Sequence, residues 1–135
     1  GRCSQTDWAQ PFEALPIGKG CQLKEGTEVA VLSIGTIADL VAEQIRQSEA
    51  PEQYAHYDMR FLKPIDEALL HHVFTHYQKV ITIEEGSTGG LGSAVSEFAV
   101  ANNYTTPLKI ITLPDVFMPH GSVAALRKLA HLLID

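Results

Sequence analysis

With 16 acidic residues against 10 lysines and arginines in 135 residues, and a formal net charge of −6, the chain lacks the basic surface that displaces counterions from phosphates, which excludes nucleic-acid binding. Its 45% hydrophobic content with interspersed charges excludes a disordered chain and fits one core that buries roughly two thirds of the unfolded surface. No apolar run approaches the ~20 residues of a membrane-spanning helix and Gly1 to Gln5 lack an apolar signal core, so the chain reads as cytoplasmic, with no membrane partner.

Residues 1–16, with Pro11, Pro16 and a lone Trp8, follow neither helical nor strand periodicity and are expected to be an extended lead-in from a preceding domain; residues 17–135 are expected to form a single domain. Cys3 and Cys21 are too few for a disulfide framework and lack zinc-site spacing, so free thiols in a reducing compartment are expected. Ile17 to Leu23 form a short polar-apolar segment ending at Lys24-Glu25-Gly26. Val29 to Gly35 are nearly all apolar, the pattern of a strand buried on both faces of a parallel sheet. Ile37, Leu40, Val41 and Ile45 then recur at helical spacing behind Thr36, which is the expected cap with Asp39 three residues on.

The next strand is predicted over Ala55 to Arg60. Pro64 lacks an N–H and restricts Lys63 to extended backbone, so the strand must end before the following helix begins. Asp66 sits where an N-cap is wanted, with Ile65 and Leu70 placed as a hydrophobic staple, and the loop from Arg60 to Pro64 is expected to be rigid. The helix from Asp66 to Tyr77 places Leu69, Leu70, Val73, Phe74 and Tyr77 on one face. A strand over Lys79 to Ile83 ends in Glu84-Glu85 and a glycine-rich turn before a helix from Ser93 to Ala101, with Ser93 as its cap. Leu108 to Leu113 form the last strand, followed by Pro114-Asp115 and a helix over Ser122 to Leu133. These alternations predict an α/β fold, a three-layer sandwich with helices on both faces of a mainly parallel sheet.

Ligands of open α/β sheets bind beyond the carboxyl ends of the strands, so the candidate polar residues are Thr36, Arg60, Lys63, Glu84, Glu85, Ser87, Thr88, Ser93, Asp115 and His120. Gly86 to Ser93, with Gly89, Gly90 and Gly92, resembles a phosphate cradle at a helix N-terminus. It is not a P-loop, and Val95 stands where a dinucleotide fingerprint needs its third glycine, so a tight turn that lets the helix pack closely is the stronger reading. Adjacent Glu84 and Glu85 point to opposite faces and make a poor acid/base pair; one of them is expected to cap or brace a neighbouring loop. His72 and His76 have metal-compatible spacing but lack the zinc-protease glutamate, and with His71 they read as a solvated helix face. Ser93 lacks the nucleophile-elbow pattern, while His120 near Asp115 is either a proton carrier or a structural group.

Three motifs are together similar to the C-terminal domain of the transketolase-like, thiamine-diphosphate-dependent enzymes. They are Asp58-Met59-Arg60-Phe61-Leu62-Lys63-Pro64-Ile65-Asp66, Glu84-Glu85-Gly86 leading to Gly89-Gly90-Leu91-Gly92-Ser93-Ala94-Val95, and Leu113-Pro114-Asp115-Val116-Phe117 with His120-Gly121. Leu15 to Gly20 resemble the opening of that domain, and the Phe-x-Lys-Pro-x-Asp form resembles the 1-deoxy-D-xylulose-5-phosphate synthases within the family. The turn between Glu85 and Gly89 is a residue shorter than the family usually has. The resemblance implies a five-stranded mixed sheet whose strand around Ile17 to Leu23 is antiparallel to the other four. It also implies thiamine diphosphate and Mg2+ bound by preceding domains, since no Gly-Asp-Gly occurs here, and no cofactor, metal or catalytic residue in this chain. Its implied partners are those preceding catalytic domains and a homodimer mate, met through carboxyl-edge loops. The competing expectations are a regulatory nucleotide- or anion-binding module and the C-terminal domain of a 2-oxo acid dehydrogenase β subunit that docks a partner.

Overall fold

The structure is a computed structural model and describes residues 18–86 and 90–113. Strands β1 (Cys21–Lys24), β2 (Val29–Ser33), β3 (Tyr54–Asp58), β4 (Lys79–Glu85) and β5 (Leu108–Leu113) form one sheet in the order β1-β3-β2-β4-β5. β2 lies at the centre, β3, β4 and β5 run parallel to it, and β1 pairs with β3 antiparallel, the mixed arrangement that the resemblance implied. Helices α1 (Ala38–Arg46), α2 (Glu67–His76) and α3 (Leu91–Ala101), with 3-10 turns over Gly35–Ile37 and Pro51–Gln53, complete the described elements.

Strand side chains alternate between faces, and this divides the core in two. Ala30, Leu32, Tyr57 and Val80 pack with Leu70, Val73 and Phe74 of α2 and with Leu91, Val95 and Phe98 of α3. Val31, Tyr54, Ile81 and Ile83 pack on the opposite face with Val41 and Ile45 of α1. Helix, sheet and helix pair thus form three layers. The chain leaves β2 toward β3 on one side and later returns to β4 on the other, so the sheet's topological switch point lies between the carboxyl ends of β2 and β4.

Asp66 is the N-cap of α2 as expected, its Oδ1 accepting from the Leu69 N–H at 3.0 Å. Its Oδ2 also accepts from the Gly20 N–H at 2.8 Å, so one buried carboxylate starts a helix and ties down the segment entering β1. Asp66→Ala should therefore cost about 2 kcal/mol, roughly half from the cap and half from the stranded Gly20 N–H. Urea midpoints would show it, with Asp66→Asn, which keeps one acceptor, falling about halfway.

Several boundaries differ from expectation. β3 stops at Asp58, because Arg60 takes the left-handed backbone (φ 61°) while its N–H donates to Asp58 Oδ1 at 3.0 Å, closing an Asx turn. β4 continues through Glu84 and Glu85. Thr36 caps no helix; it lies inside a 3-10 turn over Gly35–Ile37 that leads into α1. Ser93 is not a cap either, being the third residue of α3 and exposed. Cys21 is disulfide-bonded, which corrects the expectation of a free thiol there; spacing along the chain carries no information on whether two Cβ atoms come within bridging distance. Cys3, the lead-in over residues 1–16 and the predicted helix over Ser122 to Leu133 lie outside the described residues.

Candidate functional site

Parallel β2, β3 and β4 bring Gly35-Thr36, Arg60 to Pro64, and Glu84 to Gly86 with Gly90 to Gly92, to one edge of the sheet. Glu84 and Glu85 divide there as the strand period requires. Glu84 turns to the α3 face, 4% exposed, and both carboxylate oxygens are used: Oε1 accepts from the Leu91 N–H at 3.0 Å and Oε2 from the Gly92 N–H at 2.8 Å. Glu85 turns the other way and accepts from Thr36 Oγ1 at 3.3 Å, a contact across the switch point.

The start of α3 is therefore an anion seat already occupied by the protein's own carboxylate. The first N–H groups of α3 and the positive end of its dipole favour a negative group, and Glu84 supplies one from the adjoining strand. Gly92 is required by the fit, since a Cβ there would stand 2.5 Å from Ile110 Cγ2 and 3.2 Å from Glu84 Oε2. Gly90 precedes the helix at φ 111°, with Leu62 Cδ1 3.6 Å from where its Cβ would be, which sets Gly90 against the Arg60 to Pro64 loop. Lys63 is exposed on that loop and Arg60 half-buried. Ser87, Thr88, Gly89, Asp115 and His120 lie outside the described residues.

One pair escaped the sequence reading. His56 on β3 and Ser33 at the end of β2 are 1% and 0% exposed, with His56 Nε2 2.8 Å from Ser33 Oγ. The imidazole pKa is lowered to about 4, by burial first and by the Lys24 ammonium second, with Asp39 opposing. The only linear signal was a histidine inside an apolar strand, with no mark of its partner. Sealed from solvent, the pair braces two strands and is not an accessible nucleophile and base. On the opposite face Tyr57 and Tyr77 share a hydroxyl contact of 2.9 Å, which together with burial pushes the Tyr57 phenol up.

His71, His72 and His76 are exposed on α2, the solvated face expected. Among the described residues, no group of three or more His, Cys, Asp and Glu is placed to hold a metal ion, and no helix is long and apolar enough to cross a membrane.

Residues 18–134 match the family described as the C-terminal domain of transketolase. The chain is 54% identical over 125 residues to the 1-deoxy-D-xylulose-5-phosphate synthase of Azobacteroides pseudotrichonymphae, covering 91% of this chain and 20% of that protein. It is 47% identical over 132 residues to the synthase of the same description from Bacteroides thetaiotaomicron, covering 96% and 20%. Among solved structures, a split-gene transketolase described as an inactive beta4 tetramer superposes with a TM-score of 0.67 at 32% identity, over 91% of this chain and 45% of that one. The chain spans about a fifth of the length of the synthases it matches.

Proposed function

The chain belongs to the transketolase C-terminal domain family, and from that membership we propose that it serves as the C-terminal domain of a 1-deoxy-D-xylulose-5-phosphate synthase. The observation that carries this reading is 54% identity over nearly the whole chain to one such synthase. The parent enzyme would condense pyruvate with D-glyceraldehyde 3-phosphate, with loss of carbon dioxide, in the cytoplasm. This domain would take no part in bond making.

The residues present do not fit thiamine diphosphate or its Mg2+. The anion seat at α3 is filled by Glu84, the chain has no Gly-Asp-Gly, and no three-carboxylate group occurs among the described residues. We assign the domain a supporting role, packing against the preceding catalytic domains and against a second copy of the enzyme. The surface proposed for this is the carboxyl edge: Arg60, Lys63, Glu85, Gly89, Gly90, Ser93, Asp115 and His120, with Glu84 and Gly92 as its internal brace. At this edge the Glu84 and Glu85 carboxylates are held by the protein's own groups, which supports a docking surface more than a reaction centre.

Calorimetric titration of the 135-residue chain with thiamine diphosphate and Mg2+ tests the reading. No saturable heat is expected up to millimolar cofactor. Micromolar binding would show that this chain carries a cofactor site of its own and would overturn the supporting role.

A further inference from the structure

We propose that His72 and His76 form a two-imidazole site for a divalent transition ion of the zinc, nickel or copper class on the outer face of α2. The helix buries Leu70, Val73 and Phe74 against the sheet, which turns positions 72 and 76 to water. Residues four apart on a helix stand one above the other. Here the two rings have centroids 4.3 Å apart and an interplanar tilt of 31°, close enough for one ion to be shared.

The hydrogen bonding fixes which nitrogen is available. His76 Nδ1 lies 2.9 Å from the backbone carbonyl oxygen of His72. A carbonyl oxygen has no proton to give, so Nδ1 carries the hydrogen and Nε2 keeps its lone pair. Metal-binding histidines are held this way, with the other ring nitrogen donating to a carbonyl or carboxylate that orients the ring and raises its basicity. The His72 imidazole has only ring contacts among the described residues, with His76 and with Tyr77, so it is free to turn a nitrogen toward the same ion.

His76 also lies in the last turn of α2, where the helix dipole favours a cation. Imidazoles select zinc, nickel and copper over the oxygen-seeking magnesium and calcium, and water would complete the coordination sphere. The other described histidines are committed elsewhere. His71 Nδ1 is 2.6 Å from the Tyr104 hydroxyl, with its ring edge-on to Phe98, and His56 is buried on Ser33.

Titration of the 135-residue chain with Zn2+ at pH 7.5, followed by calorimetry and by the imidazole nitrogen resonances, tests the site. One ion per chain is expected, with the His72 and His76 resonances moving and the His56 resonance unmoved. His72→Ala and His76→Ala should each weaken binding at least tenfold, while His71→Ala leaves it unchanged. Binding should weaken in acid, because protons compete with the ion. Absence of binding at millimolar Zn2+, or equal affinity in the His72→Ala/His76→Ala double variant, would overturn the proposal. All three side chains are exposed, so circular dichroism of the variants should match the parent.

Discussion

Glu84→Ala should lower the thermal midpoint by roughly 10 °C, the largest effect expected of any single substitution at the carboxyl edge. The carboxylate is almost fully buried and accepts from two consecutive backbone N–H groups at the start of α3. Truncation removes two charge-assisted hydrogen bonds and leaves both donors without their protein acceptor, a loss of about 3 kcal/mol. Glu84→Gln keeps the shape but sets an amide NH2 against one of those N–H groups, so about 2 kcal/mol should still be lost. Thermal melts of the three proteins provide the measurement, and a shift under 2 °C for the alanine variant would mean that α3 does not depend on this brace. Truncation also empties an anion seat. Phosphate at tens of millimolar should restore part of the Glu84→Ala midpoint, because the variant frees the Leu91 and Gly92 N–H groups at the start of α3 to bind it.

The same residue marks how far the sequence could be read. Period two along β4 was enough to send Glu84 and Glu85 to opposite faces, and to expect one of them to brace a neighbouring loop. Which one, and onto what, depends on the chain returning through Gly90 so that the N–H groups of Leu91 and Gly92 meet a strand end seven and eight residues behind them. Ser93 and Thr36 fit local capping patterns, but at Ser93 a tertiary carboxylate had already satisfied the helix start. Thr36 was drawn into a 3-10 turn with its hydroxyl on Glu85. Asp66 succeeded because its capping partner is three residues away, whereas its second partner, Gly20, is 46 residues away and left no local trace. The strand and helix pattern was legible for a similar reason: burial of one face is written residue by residue, while a sheet's side-to-side order is not. The antiparallel β1 came only through the family resemblance. Ser33 and His56 belong to the same class of failure, since neighbouring strands bring them together from 23 residues apart.

That pair should govern the protein's response to acid. His56 titrates near 6.5 in an unfolded chain and near 4 in the fold, where burial and the Lys24 ammonium disfavour the imidazolium more than Asp39 favours it. Lys24 is held in place by donation to the Pro51 and Tyr54 carbonyl oxygens at 2.6 and 2.8 Å. Between the two pKa values the unfolded state binds more protons than the native state, so stability falls as pH falls. The contribution is complete above about pH 7 and is lost progressively toward pH 4, amounting to about 3 kcal/mol. Urea midpoints collected from pH 7.5 to 4 should therefore decline more steeply for the parent than for His56→Gln, whose amide can still meet Ser33 but does not titrate. The substitution is expected to lower stability at pH 7.5 and to narrow the gap as the medium is acidified, because only the parent must then either protonate a buried ring or unfold. Parallel curves for the two proteins would place the acid sensitivity in other groups and remove His56 as its source.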